Sequence, residues 1–86
     1  MPEICRFYGI VIKMYFADQA PPHFHAEYAE FEARIAIDSL AVISGKLPPR
    51  AMGLVAEWTT LHQQELTALW DKARQSEPLQ RLDPLP

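Results

Sequence analysis

Between Glu3 and Leu47 the apolar and polar positions alternate with a period of two, and from Pro49 to about Gln75 they recur at helical spacing. Gly9 separates an apolar run over residues 4–8 from a second over residues 10–16. In the second run Ile10, Ile12, Met14 and Phe16 fall on one side and Val11, Lys13 and Tyr15 on the other. Residues 18–22 have the composition of a turn, and Pro21 and Pro22 remove two backbone donors while biasing Ala20 and Pro21 toward extended geometry. A third strand starting near His23 sends Phe24, Ala26 and Tyr28 to one face and His23, His25 and Glu27 to the other. After a bend at Ala29 or Glu30, a fourth alternates Phe31, Ala33, Ile35 and Ile37 against Glu32, Arg34, Ala36 and Asp38. A short fifth strand is expected over residues 41–44, with Gly45 as the turn residue.

The period changes at Pro48-Pro49, where proline suits the first turn of a helix. Met52, Val55, Ala56, Thr59, Leu66, Leu69, Trp70 and Ala73 then follow one helical face, widened by Leu54, Trp58 and Leu61. This predicts one helix of about seven turns or two helices broken near residues 61–63. Residues 76–86 carry Pro78, Pro84 and Pro86 among Leu79, Leu82 and Leu85, a tail that either docks as an extended segment or frays. The fold class that results is α+β: an antiparallel sheet of four or five strands with one long or broken C-terminal helix packed on one face. A single domain over residues 1–86 is expected, with strands over about 3–47, helix over about 49–75 and the tail over 76–86. By parity the uncovered sheet face carries Lys13, Tyr15, His23, His25, Glu27, Glu32 and Arg34.

Composition adds limits to this picture. A chain of 86 residues supports one core, and 49% hydrophobic with 22% charged residues is the balance of a folded domain. The apolar stretches are too short for a secretory or membrane-spanning segment, so a cytoplasmic protein is expected. The lone Cys5 excludes an internal disulfide framework and a multi-cysteine zinc site, and reads as a small strand residue. A net charge of −3 leaves no broad electrostatic footprint for nucleic acid. Arg6, Lys13, Arg34, Lys46 and Arg50 form at most a local patch, mixed in sign with Asp18, Glu27, Glu30, Glu32 and Asp38.

The candidate chemistry lies at Pro21-Pro22-His23-Phe24-His25-Ala26, where two imidazoles share a strand face. Four readings are open. The histidines serve the turn alone. Alternatively they chelate a metal, with Glu27 offering an oxygen; His23-x-His25 followed by Glu30 resembles the core of the cupin metal motif, without its framing glycines. In a metal-independent ribonuclease they exchange protons as general base and acid on RNA, while Arg34, Lys13 or Arg6 holds phosphate. In a binding module, Tyr8, Tyr15 and Tyr28 anchor a partner protein and the histidines shape the surface. No cofactor is called for.

The runs Ile4-Cys5-Arg6-Phe7-Tyr8-Gly9-Ile10-Val11-Ile12, Met14-Tyr15-Phe16 and Pro21-Pro22-His23-Phe24-His25-Ala26-Glu27-Tyr28, with Leu47-Pro48 and Glu57-Trp58, resemble the small bacterial domain-of-unknown-function family 4160. The resemblance marks Arg6, Tyr8, His23, His25 and Tyr28 as characteristic positions without assigning them roles. It implies membership of a toxin-antitoxin-like two-gene module, with a protein partner encoded by the adjacent gene, and supplies no catalytic residues. RNA and a second copy of the chain are the other partners expected. Residues 38–41 depart from the glycine-containing turn of the family's pattern.

Overall fold

The computed structural model describes residues 3–86. Five strands run as a continuous antiparallel meander in the order β1 (Glu3–Phe7), β2 (Ile10–Lys13), β3 (His23–Tyr28), β4 (Phe31–Ala36) and β5 (Val42–Lys46). Two helices follow, α1 (Pro49–Leu61) and α2 (Gln63–Arg74). The α+β class and the antiparallel sheet thus follow the alternation read from the chain; the fifth strand forms over Val42–Lys46, so Gly45, expected as a turn residue, lies within it. The C-terminal helix is not one continuous rod: it breaks at His62, inside the predicted interval, where φ is −124°.

The break has a local cause. The Thr59 and Thr60 hydroxyls donate back to the Val55 and Ala56 carbonyls, a pairing that competes with the backbone ladder and bends helices. The Gln63 side-chain amide then donates to the Ile37 and Asp38 carbonyls and ties the start of α2 to the turn after β4. With the axis redirected, α1 buries Ala51, Val55, Trp58 and Thr59, and α2 buries Leu66, Leu69, Trp70 and Ala73. Each set repeats at three- and four-residue steps, one stripe per helix.

The core gathers Ile4, Phe7, Ile10, Ile12, Phe24, Ala33 and Ile35 from the sheet against these stripes. Trp58 is fully buried at its centre, 5.5 Å from Phe7 and 5.9 Å from Phe24 between ring centroids. Its indole N–H donates to the Asp83 carbonyl at 2.9 Å. That bond belongs to the tail, which docks rather than frays: Leu82 and Leu85 are buried, and Leu82 N–H donates to the Ile4 carbonyl at 2.8 Å. Arg81 pairs with Glu3 at 3.0 Å, so the tail lies over the outer edge of β1.

Turn chemistry fixes the hairpins. Tyr8 and Gly9 both take positive φ between β1 and β2, the requirement of the hairpin turn that matches strand twist. Gly45 is constrained further: at φ +75° a Cβ there would lie 2.1 Å from the Glu32 carbonyl oxygen. Only glycine allows β5 to approach β4 this closely. The second strand is shorter than its alternation suggests, ending at Lys13. Met14 still turns inward and is buried, while Phe16 is exposed and Ala17 N–H donates to the Ala73 carbonyl of α2. The chain leaves the sheet at that point to build the loop of residues 14–22.

Candidate functional site

That loop returns the chain to the sheet at Pro21-Pro22, and the Ala20–Pro21 peptide is cis. Ile37 N–H donates to the Pro22 carbonyl at 3.1 Å, anchoring the return against the end of β4. His23 and His25 then enter β3 two residues apart on one face, opposite Ala36 and Arg34 of β4. The loop folds Asp18 back over them. Its Oδ2 lies 3.0 Å from His23 Nε2 and 3.2 Å from His25 Nε2, and the three donor atoms all fall within 4.8 Å of one another.

The two imidazoles differ. His23 is 3% exposed, packed against Trp70 of α2 at 5.2 Å between ring centroids. Parity places it on the uncovered sheet face, but Trp70 packs against it and it is buried. Its Nδ1 lies 2.7 Å from the Pro21 carbonyl oxygen. A carbonyl can only accept, so Nδ1 carries the hydrogen, and neutral His23 presents a lone pair at Nε2. The approach of Nε2 to Asp18 is short but out of line for a hydrogen bond, which leaves Nε2 a buried polar atom without a hydrogen-bond partner. Such an atom costs roughly 1–3 kcal/mol.

His25 is half-buried, with Tyr15 against its ring edge at 4.4 Å. Its Nε2 pairs with Asp18, and its Nδ1 lies 3.5 Å from the Glu32 carboxylate. Burial alone would raise the Asp18 carboxyl. The hydrogen bonds from His25 and from Gln19 N–H outweigh it and hold the carboxyl below its ordinary value.

The other sequence candidates separate into three places. Arg34 sits beside His25, with its Nε donating to Ser44 Oγ at 3.0 Å. Lys13 and Glu27 pair with each other at 3.0 Å on the same sheet face, so the carboxylate that parity offered to the histidines is held by lysine. Arg6 pairs with Glu3 at 2.8 Å, and Tyr8 donates its hydroxyl to the Pro86 carbonyl. With Tyr28, Tyr8 lines a separate cleft next to Arg50 and Leu54. His62, at the helix junction, pairs with Glu65. The residue that sequence reasoning passed over as a site member is Asp18, counted only in the turn and among the acidic residues of a mixed patch. Its signal is weak: an acidic residue just before a proline-braced return to two histidines.

The donor set is two imidazole nitrogens and one carboxylate oxygen. Ligands on a tetrahedral zinc-class ion, with metal–ligand distances near 2.0–2.1 Å, stand about 3.3 Å apart. The 3.0 and 3.2 Å separations to Asp18 are close to that edge. The Pro21 carbonyl on His23 Nδ1 fixes ring orientation and tautomer, as outer partners do at metal-binding histidines.

A family model described as "Domain of unknown function (DUF4160)" matches residues 9–71, a stretch that runs from β2 into α2 and includes Asp18, His23, His25 and Arg34. Arg6 and Tyr8 lie just before it. No curated protein and no solved structure matches the chain. On a match that spans the site and most of the fold, the chain belongs to the DUF4160 family.

Proposed function

We propose that this protein is a metal-dependent domain in which Asp18, His23 and His25 hold a divalent first-row transition ion. The observation that carries the reading is the buried, unpartnered His23 Nε2, 3.0 Å from a carboxylate oxygen that His25 Nε2 also approaches. A cation among the three atoms would give the His23 Nε2 lone pair the partner it lacks and would take the place of the proton that His25 Nε2 shares with Asp18. Two nitrogens and one oxygen suit zinc, iron, cobalt or nickel. Three protein ligands leave a coordination position for water or substrate, the pattern of a catalytic rather than a purely structural centre. Proton exchange by the histidine pair alone on RNA is less favoured, because it requires both imidazoles to meet the substrate and His23 is 3% exposed.

Untagged protein titrated with Zn²⁺ and Co²⁺ tests the reading. One equivalent should bind, with tetrahedral cobalt absorption, and at a hundredfold excess over Kd the folded state should gain about 2.7 kcal/mol. Asp18→Asn and His25→Gln should weaken binding tenfold or more. Less than about a tenth of an equivalent bound, with no cobalt spectrum, overturns it.

A second reading concerns the setting. Val42 and Ile43 are 45% and 42% exposed on β5, an open sheet edge, which supports strand addition by a partner protein such as the neighbouring product of a toxin-antitoxin-like pair. Co-purification with that product should be lost in a Val42→Lys, Ile43→Lys variant and kept in Asp18→Asn. Loss in Asp18→Asn alone rejects the edge as the contact.

A further inference from the structure

Helix α1 carries a second stripe outside the core. Arg50, Leu54, Glu57 and Leu61 recur at four-, three- and four-residue steps, so they share one face, beside the face that buries Ala51, Val55 and Trp58. Leu61 is 62% exposed and Leu54 half-buried. Among the described residues Arg50 and Glu57 have no ion-pair partner, and they stand about 10.5 Å apart along the helix axis. At the start of the stripe a cleft of about 330 Å³ opens between Tyr8, Tyr28, Pro48 and the first turn of α1. One wall of it is preformed: Tyr8 is 59% exposed, yet its hydroxyl is held by the Pro86 carbonyl at 2.6 Å.

The order of charges along the stripe selects the occupant. Basic at one end and acidic two turns on, the stripe complements itself when a second copy lies antiparallel across a two-fold axis beside Leu54. Arg50 then meets Glu57 of the second copy, Glu57 meets its Arg50, and the two Leu54 side chains approach at the axis. Leu61 stands about 6 Å beyond Glu57, which brings it over the other copy's cleft, just past Arg50. Each copy supplies both an apolar knob and the cleft that receives one. We propose that α1 pairs with itself in this way, so that the protein forms a closed, symmetric dimer. The surrounding charges leave the match to Arg50 and Glu57. Lys46 stands opposite Glu32, on the sheet face that carries His25, and Glu65 pairs with His62. Asp83, whose carbonyl accepts from Trp58, lies toward the acidic end and Glu30, in the turn after β3, toward the basic end, where their effects oppose each other.

Sedimentation velocity from micromolar to millimolar protein, at physiological ionic strength, tests the pairing. The parent should pass from one chain to two. Arg50→Glu and Glu57→Arg each turn two attractions into two repulsions and should weaken the dimer about tenfold or more. Both positions are exposed, and an acidic residue suits the first turn of a helix, so the circular dichroism of both variants should match the parent. Mixed in equal amounts, the two variants should form a heterodimer although neither pairs with itself, because the like charges of one face the opposite charges of the other. Leu61→Ser should weaken the parent dimer by a similar factor. A parent that stays monomeric at millimolar concentration overturns the proposal, as does a mixture of the variants that fails to associate. A dimer that survives both charge reversals also overturns it, and its loss in the Val42→Lys, Ile43→Lys variant would then assign the contact to β5.

Discussion

Alanine substitution at two glycines should move stability in opposite directions. At Gly45 the added Cβ would stand 2.1 Å from the Glu32 carbonyl oxygen and 3.1 Å from Ala33 Cα, both backbone atoms that cannot rotate away. The residue also holds φ +75°, where an L side chain costs roughly 1–2 kcal/mol. Relieving the clash requires β4 and β5 to part locally, at about 0.5–1.5 kcal/mol for each ladder hydrogen bond weakened. Together the loss for Gly45→Ala is about 2–4 kcal/mol, which for a domain of this size lowers Tm by roughly 10 °C or more. Gly53 lies in the exposed interior turn of α1 with nothing within 4 Å of its added Cβ. Gly53→Ala should raise stability by about 0.8–1 kcal/mol through helix propensity alone. Urea unfolding followed by far-ultraviolet circular dichroism measures both. A Gly45→Ala midpoint within about 0.5 kcal/mol of the parent would refute the close approach of β5 to β4. A Gly53→Ala variant no more stable than the parent would refute the solvent-facing placement of that helix turn.

Trp58→Phe removes the indole N–H donated to the Asp83 carbonyl and leaves space at the centre of the core, at a cost of about 2–3 kcal/mol in chemical denaturation. The Glu3 carboxyl is held at about 2, against an ordinary 4.5, first by its hydrogen bond from Arg6 and then by that from Arg81. Because the folded value is depressed, its contribution is complete above pH 4.5 and disappears as pH falls from 4.5 toward 2. An acid titration of stability should therefore flatten over that window in Glu3→Gln, with a smaller difference at high salt because the group is on the surface. Burial pushes the Cys5 thiol up, so native protein should react with Ellman's reagent only at the rate of opening and the unfolded chain at once; rapid native labelling would contradict the packing of β1.

The sheet was legible because alternation at Ile10, Ile12, Phe24, Ala26, Ala33 and Ile35 records burial on one face directly. The helical stripe was equally plain, and its interruption near His62 was read as one of two possibilities. What alternation cannot carry is the path of a loop. Nothing in residues 14–22 states that Asp18 comes back over the histidines, because that placement depends on where Met14, Ala17 and Pro22 attach to the rest of the fold. Glu27 appeared the better oxygen donor for the opposite reason: strand parity is easy to read, and it does not reveal that Lys13 occupies the carboxylate. The burial of His23 was hidden similarly, since parity gives the face of a residue and not what a distant Trp70 lays over it.

The docked tail has a consequence for stoichiometry. The Leu82–Ile4 hydrogen bond and the Arg81–Glu3 pair block one border of the sheet, while β5 leaves the other free. A molecule with a single free border can extend its sheet once. Two copies meeting there use up each other's valence and stop, so self-association through the sheet ends at a pair and does not propagate into a fibre. Undocking residues 76–86 would make the sheet divalent, and chain growth would then have a route that the intact fold denies it.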